Sequence, residues 1–276
     1  MTNNSTDLMQ NREDLFHLPE EELQAVKDWF SRYVRSFYTP DPVLQPSLLL
    51  KEQHSRRVSN LILAIGGKLG LSDQGLRVAE VMGLLHDIGR FEQVTRYGTF
   101  VDRKSENHAE LGLRVLEQEQ VLATVADAPR QLIRKAISYH NRLAIPDGES
   151  EACLFYSRLL RDADKLDILA LFSVYYHASP EERSTAVELD LPDEPGVSKE
   201  VLEDLQQGKA VVIGHLKVLN DFKLLQLGWV SDINFAPTLA ILYERGYLRK
   251  IRDSLPASQA IDHIYSRILS DIEKRL

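Results

Sequence analysis

The sequence predicts an all-α protein. Apolar residues recur at intervals of three and four along most of the 276 residues, which is the spacing of a single helix face. The sequence contains no convincing hairpin signal and no alternating run long enough for a buried strand. Hydrophobic residues make up 43% of the chain and charged residues 27%, a composition typical of a soluble globular protein with a substantial core.

Helix boundaries follow from capping residues and charges. A first helix is predicted over residues 20–38, because three acidic residues at its start complement the dipole of a helix N-terminus. The apolar spacing continues over residues 48–69. Ser72 is predicted to cap a third helix, which ends near Gly89. Further helices are predicted over residues 106–119, 129–140, 150–177, 198–206, 209–227, 235–245 and 257–275.

One segment breaks the helical pattern and suggests the domain organisation. Residues 180–197 contain three prolines and six carboxylates, so we expect a solvated acidic loop there. The loop would separate a helical core over residues 19–179 from a C-terminal helical extension over residues 198–276. We expect this extension to pack on the core as a cap, because it shares the helical pattern. The polar residues 1–18 are expected to form a flexible tail.

Composition also limits the partners and the compartment. The chain has 33 Lys and Arg residues against 41 Asp and Glu residues, and its formal net charge of −8 argues against stable nucleic-acid binding. The single cysteine, Cys153, excludes an internal disulfide and a cysteine-based metal cluster, and it favours the reducing cytoplasm. We expect no membrane association, because no apolar run approaches the roughly 18 residues of a membrane span and the N-terminus lacks the apolar core of a signal peptide.

A histidine and an aspartate end the third predicted helix. His86 and Asp87 stand in the segment GLLHDIGR after a run of apolar residues, so both side chains are expected to be buried. A buried carboxylate needs a partner or a metal ion. Adjacent residues lie about 100° apart around a helix, so a pair at a helix end can hold one ion from two sides.

Four further candidates for metal ligands are embedded in other helical patterns. They are His54 in EQHSRRV, His108 in ENHAELG, His140 in ISYHN and Asp164 in LLRDADKLD. A single buried histidine is more often a packed core residue than a ligand. An ordered set spread over five helices of one core is much harder to produce by chance.

Three acidic residues compete for the last ligand position. Asp162 shares a helix face with basic residues four before it and three after it, a pattern of solvated salt bridges. Asp164 lies about 200° away, on a face with leucines. Asp167 could hydrogen-bond to a ligand residue. Helical geometry favours Asp164, and the other two are expected to be structural.

Together these segments resemble the HD-domain metal-dependent phosphohydrolase superfamily over roughly residues 50–175. The matching pieces are HSRRV, LLHDIGR and DADKLD. The resemblance implies four metal ligands: His54, His86, Asp87 and Asp164. Some members bind a second ion through two more histidines, which match His108 in NHAELG and His140 in SYHN. For these members the pattern implies a binuclear site in which Asp87 bridges the ions.

The resemblance also implies the chemistry. Imidazole and carboxylate ligands without thiolate suit Mn, Fe, Co, Ni, Zn or Mg, as one or two ions. A bound ion can lower the pKa of water toward about 7 and so supply hydroxide as the nucleophile. Asp87 is the expected catalytic residue, because it would hold the ions and position this water.

Four basic residues are predicted to bind substrate phosphate: Arg57, Arg90, Lys104 and Arg142. Arg57 lies three residues after His54 and shares its helix face. A solvated surface charge is the alternative for each of the four, because most Lys and Arg side chains are exposed. Related binuclear enzymes often carry lysine at the position of Arg90, and the Gly-Tyr-Pro segment of cyclic-dinucleotide phosphodiesterases is absent nearby. Both departures argue against that exact chemistry.

The leading hypothesis is therefore an enzyme that hydrolyses a phosphate ester or phosphoanhydride in a small phosphorylated substrate, with a nucleotide as the substrate type that the resemblance favours. The main alternative is a non-catalytic, metal-stabilised nucleotide-binding signalling module, because roughly 100 residues follow Asp164 that the chemistry does not require. A di-iron oxygenase is a smaller alternative, since some relatives with this ligand set use oxygen. A homo-oligomer is compatible with each hypothesis.

Overall fold

The computed structural model describes residues 16–179, 183 and 187–276, and within these ranges it contains helices and turns but no strand. The all-α prediction is confirmed. Most of the predicted tail and six residues of the predicted acidic loop lie outside the described residues. The chain divides into two compact units, Met1–Asp164 and Lys165–Leu276.

The first unit is built from six helices and the beginning of a seventh. These are α1 (Glu20–Ser36), α2 (Leu44–Lys68), α3 (Asp73–Leu85), α4 (Gly89–Tyr97), α5 (His108–Gln118), α6 (Asp127–Tyr139) and α7 (Glu151–Tyr175), and a short 3₁₀ helix spans Asp102–Lys104. The α7 helix continues into the second unit. Large apolar side chains of α1 to α7 form the core of the first unit, including Phe30, Ile62, Met82 and Ile133.

Two glycines allow close contacts between helices. Gly83 of α3 faces α2, where an added Cβ would lie 2.9 Å from the Cα atom of Ser59. Gly89 begins α4 against the start of α5, and a Cβ there would lie 2.2 Å from the carbonyl oxygen of His108. Only glycine permits both approaches without a shift of the backbone. The two contacts bring the end of α3 close to α2 on one side and to α5 on the other.

The second unit has its own core around α9. Its helices are the end of α7, then α8 (Lys199–Gln206), α9 (Leu219–Gly228), α10 (Ala236–Glu244), α11 (Tyr247–Asp253) and α12 (Gln259–Arg275), with 3₁₀ turns at Ile213–His215 and Trp229–Asp232. Nearly every residue of α9 is buried. The buried Asp221 carboxylate accepts hydrogen bonds from the backbone and hydroxyl of Ser198, both at 2.7 Å, and from the backbone of Lys217 at 2.8 Å. These bonds fix the chain at the start of α9.

Most predicted helices are present, and the differences have local causes. Ser72 caps α3 as predicted, because its hydroxyl accepts a hydrogen bond from the Gly75 amide at 3.2 Å. The expected helix end at Gly89 is wrong, since α3 ends at Leu85 and Gly89 starts a new helix. The single helix predicted over 209–227 is a 3₁₀ turn followed by α9. The α11 helix was not predicted, and Gly246, at φ +63°, separates it from α10.

Among the described residues, none of the helices combines the length and the apolar character that a bilayer span requires. The packing of the C-terminal extension on the core stays a prediction.

Candidate metal centre

All six predicted ligand residues come together inside the first unit. His54 lies in the middle of α2, and Asp164 lies on α7. His86 and Asp87 follow α3, His108 is the first residue of α5, and His140 follows α6. The four histidines and Asp87 are at most 5% exposed, and the side chain of Asp164 is 16% exposed. The site is therefore a buried group of imidazoles and carboxylates, of which Asp164 is the most exposed.

One group of donor atoms, called here the first donor cluster, consists of His54 Nε2, His86 Nε2, Asp164 Oδ1 and Asp87 Oδ2. His54 Nε2 lies 3.2 Å from His86 Nε2 and 3.1 Å from Asp164 Oδ1. His86 Nε2 lies 3.6 Å from Asp164 Oδ1, and Asp87 Oδ2 lies 3.6 and 3.7 Å from the two imidazole nitrogens. An ion bound at about 2.1 Å holds its ligand atoms roughly 3.0–3.4 Å apart in octahedral or tetrahedral geometry. The spacing of the cluster therefore suits a single ion.

The remaining donor atoms form a second donor cluster: His108 Nε2, His140 Nε2 and Asp87 Oδ1. The two nitrogens lie 3.0 Å apart. Asp87 Oδ1 lies 3.3 Å from His108 Nε2 and 3.8 Å from His140 Nε2. The two oxygens of Asp87 thus belong to different clusters, which is the arrangement of a carboxylate that can bridge two ions.

Hydrogen bonds at the opposite side of the rings set the tautomers of three histidines. The Nδ1–H groups of His86 and His140 donate to the carbonyl oxygens of Gly83 at 2.9 Å and Ile137 at 2.7 Å. His108 Nδ1–H donates to the Asp102 carboxylate at 2.8 Å. In the neutral rings, each Nε2 atom therefore presents a lone pair to the centre of the site.

This tautomer assignment tests whether the site fits a metal ion. The lone pairs of His108 and His140 face each other across 3.0 Å and repel unless a cation is close to both. Neutral imidazole and ionised carboxylate are the forms that bind divalent ions. The donor set therefore fits a divalent cation in each cluster.

The electrostatic environment favours these ligand forms. Burial raises the pKa of the Asp87 carboxyl, but its interactions with neighbouring groups, above all the charge of Lys51, lower it well below its ordinary value. Burial also raises the pKa of the Asp164 carboxyl, but its interactions with His54 and His86 lower it well below its usual range. Burial, reinforced by the charge of Arg90, lowers the pKa of His108 to about 3. At neutral pH the two carboxyl groups are thus ionised and His108 is neutral.

The four residues predicted to bind phosphate lie in different environments. Arg90 is close to the clusters, with its Nε atom 3.4 Å from Asp87 Oδ1 and a side chain that is 15% exposed. Arg57 is half-buried on α2, and Lys104 is exposed at the end of the 3₁₀ helix. Arg142 is exposed, and its guanidinium lies 5.1 Å from the centre of the Tyr139 ring.

Lys51 is a basic residue of the site that the sequence analysis missed. Its Nζ atom lies 2.8 Å from Asp87 Oδ2 and 5.2 Å from the centre of the Phe100 ring. Its side chain is 17% exposed, so it reaches the edge of the site. Lys51 precedes His54 by three residues on α2. The helix-face argument that selected Arg57, three residues after His54, would also have selected Lys51.

Two supporting residues near the second donor cluster were also missed. Asp102 binds His108, and the buried Arg161 donates from Nη1 to the carbonyl oxygens of Tyr139 and His140 at 3.2 and 3.3 Å. Arg161 also donates to the carbonyl oxygens of Arg142 and Leu143. It therefore holds the chain on both sides of His140.

One expectation about the competing acids is wrong. Asp162 was expected to lie on a solvated face, but it is 0% exposed. Asp167 is also buried, at 2% exposure. The charge pattern of the helix predicted solvent-exposed salt bridges. In the structure, both acids on α7 are instead enclosed by packing. Of the three, Asp164 contributes an oxygen to the first donor cluster.

Comparison with protein families identifies this arrangement. The family model described as HD domain matches residues 52–169, a segment that contains all six donor residues. This segment, less than half of the chain, is an HD domain. The predicted superfamily membership is confirmed. The HD domain belongs to a superfamily of metal-dependent phosphohydrolases. Two groups of side chains have donor atoms close enough to hold a metal ion: His54 with His86 and Asp164, and His86 with Asp87 and His140. Comparison with curated proteins and with solved structures gave no match.

Proposed function

We propose that this HD-domain protein is a metal-dependent phosphohydrolase that cleaves a phosphate ester or phosphoanhydride bond in a small substrate, namely a nucleotide. The observation that carries the proposal is the pair of donor clusters joined by Asp87, whose two oxygens lie 3.3–3.8 Å from four imidazole nitrogens. The donor set suits Mn, Fe, Co, Ni, Zn or Mg, in one or two positions. The residues that would hold the ions are His54, His86, Asp87, Asp164, His108 and His140.

Bound divalent ions would lower the pKa of water and neutralise charge on phosphoryl oxygens. Asp87 would act as the catalytic residue. Its two oxygens would set the distance between the two ions, and it would accept a hydrogen bond from the attacking water. Asp164, the most exposed of the ligand residues, marks the side from which water and substrate enter. The four histidines are buried and would exclude bulk water from the ions.

Basic residues at the edge of the site would bind the substrate phosphate. Lys51 and Arg90 both neutralise Asp87, at 2.8 and 3.4 Å, and both lie over the ring of Phe100. Cations bound at Asp87 would take over this neutralisation and leave Lys51 and Arg90 available to an anionic group. Arg57, Lys104 and Arg142 are proposed to make more peripheral contacts. A reducing compartment such as the cytoplasm suits the free, buried Cys153.

The test is phosphate release by the purified full chain, stripped of metal and then loaded with each candidate ion. The panel should contain phosphomonoesters, phosphodiesters and nucleoside mono-, di- and triphosphates. We expect turnover of a nucleotide that depends on added metal and that falls at least about 100-fold in Asp87→Ala, because both clusters lose a ligand. The exposed Asp147 provides a matched control, Asp147→Ala, which should retain full activity.

Failure of the metal-loaded protein to hydrolyse any panel member would contradict the proposal. Thermal stabilisation by a nucleotide without turnover would instead support a non-catalytic signalling module. Bound iron together with oxygen consumption would support an oxygenase.

A further inference from the structure

The three histidines with assigned tautomers are held by two different kinds of acceptor. His86 and His140 each donate to the carbonyl oxygen of the residue three positions earlier in the preceding helix. His108 is the first residue of α5 and has no helical turn before it to supply such a carbonyl. Its Nδ1–H group donates to the Asp102 carboxylate, at 2.9 Å from Oδ1 and 2.8 Å from Oδ2. The orientation of this ring therefore depends on one side chain outside α5.

Asp102 is itself held in place by groups from α4. Asp102 Oδ1 accepts hydrogen bonds from Gln93 Nε2 at 2.8 Å and from Arg90 Nη1 at 3.1 Å. Gln93 is 0% exposed, and its amide also donates to Ser105 Oγ and to the Glu106 carbonyl oxygen, both at 2.9 Å. These bonds fix the segment 102–106, so the carboxylate is pre-positioned for His108.

The same carboxylate also reaches the other histidine segment of the second donor cluster. Asn141, the residue after His140, donates from Nδ2 to Asp102 Oδ2 at 3.3 Å and to Asn107 Oδ1 at 3.0 Å. Asn107 caps α5 through the amides of Ala109 and Glu110. Asp102 thus connects the segments that carry His108 and His140. The histidine that Asp102 itself binds, His108, belongs to the second donor cluster.

We propose that Asp102 is the positioning residue of the second donor cluster: it fixes the Nδ1–H tautomer and the ring angle of His108, and so sets the affinity of the second metal ion without changing that of the first. The inference rests on the proposed function, because it treats the two donor clusters as metal sites. Replacing a carboxylate that orients a ligand histidine typically weakens metal binding 10–100-fold.

A purely structural role for Asp102 would have a different consequence. If the carboxylate only neutralised Arg90 and stabilised the segment 102–106, its removal would lower the melting temperature. It would then leave the number of bound ions unchanged, or weaken both ions together. Metal stoichiometry separates the two roles, and it does not depend on catalytic activity.

The experiment is a Mn²⁺ titration of the metal-stripped full chain by calorimetry, with elemental analysis and electron paramagnetic resonance of the loaded protein. We expect two ions and a spin-coupled signal for the wild type. Asp102→Ala should retain the first ion with unchanged affinity, bind the second about 10–100-fold more weakly and show the signal of an isolated ion. Asp102→Asn should lie between them, because its amide oxygen can still accept the hydrogen bond from His108. Asp147→Asn serves as the control and should bind both ions.

The inference would be overturned if folded Asp102→Ala bound each ion with the same affinity as the wild type. It would also be overturned if the variant lost both ions to the same extent, or if the wild type bound only one ion. Should Asp102→Ala fail to fold by circular dichroism, Asp102→Asn decides on the same criteria. Selective loss of the second ion in a protein without hydrolytic activity would support the inference and contradict the proposed function. Metal-dependent hydrolysis by the wild type, together with two tightly bound ions in Asp102→Ala, would support the proposed function and contradict the inference.

Discussion

The two donor clusters share Asp87 but are supported in different ways. The first cluster takes His54 and Asp164 from the interiors of α2 and α7, so helix packing fixes its geometry. The second cluster takes His108 from the start of α5 and His140 from just beyond α6. Asp102 and Arg161 hold these two positions through side-chain hydrogen bonds. The comparison indicates that helix interiors place two residues of the first cluster, whereas the two histidines of the second cluster lie at helix ends and are held by hydrogen bonds from side chains outside the cluster.

The largest effect is expected when the residue that both clusters share is removed. We expect Asp87→Ala to lose both ions and to reduce any phosphohydrolase activity at least about 100-fold, because each cluster loses a ligand. The variant also removes the buried carboxylate that pairs with Lys51, and it leaves Arg90 with Asp102. Elemental analysis and phosphate release measure both effects. Retention of one tightly bound ion would show that the clusters do not share this carboxylate.

Two glycine substitutions should affect the clusters separately. Gly89→Ala places a Cβ 2.2 Å from the carbonyl oxygen of His108, so we expect it to weaken the second ion. Gly83→Ala places a Cβ 2.9 Å from the Cα atom of Ser59 on α2, so it should weaken the first ion. Each should lower the free energy of unfolding by about 1–3 kcal/mol, because the backbones must move apart.

A third glycine provides the control for this pair. A Cβ added to Gly67, also on α2, would have no atom within 4 Å. We expect Gly67→Ala to leave both ions bound and to stabilise the protein by about 0.5–1 kcal/mol, since alanine favours a helix interior. Metal titration and chemical denaturation of the three variants test this. Identical losses at both clusters in Gly89→Ala and Gly83→Ala would contradict separate support.

Arg161 tests the hydrogen bonds around His140. Arg161→Met removes the guanidinium that donates to four carbonyl oxygens at and just after the end of α6. We expect a loss of about 1–3 kcal/mol in unfolding free energy, because buried carbonyl groups lose their partner, and weaker binding of the second ion. Arg158 is exposed one turn earlier on α7, so Arg158→Met should change neither quantity. An unchanged second-ion affinity in Arg161→Met would limit the support of this cluster to Asp102.

The effect of replacing Lys51 should depend on whether metal is bound. In metal-free protein Lys51→Met removes the partner 2.8 Å from buried Asp87, which should cost about 1–3 kcal/mol of stability. Bound ions would neutralise Asp87 themselves, so the difference from wild type should shrink when Mn²⁺ is present. Thermal melts with chelator and with Mn²⁺ measure this, and the exposed Lys68→Met is the control. If Lys51→Met lowered the melting temperature equally with chelator and with Mn²⁺, bound metal would not replace Lys51 as the group that neutralises Asp87.

The sequence could predict which side chains come together because they lie on helices or directly after a helix end. His54, His86 and Asp87 occur where helical spacing and an apolar run already specify burial. Lys51 was within reach of the same argument, since it lies one turn before His54. Asp102 was not, because its contact with His108 depends on the close approach of Gly89 to α5 and on Gln93, which holds a non-helical segment. Asp162 was wrongly placed because a charge pattern does not distinguish a solvated helix face from a buried polar one.

The central claim is that two ions bind side by side and share Asp87. Anomalous diffraction from crystals of the full chain grown with Mn²⁺ tests it most directly. We expect two peaks about 3.5–4 Å apart, which is the spacing known for two-metal hydrolases, with one oxygen of Asp87 directed at each peak. A single peak at full occupancy of the site, or peaks whose nearest ligands do not include Asp87, would contradict the account.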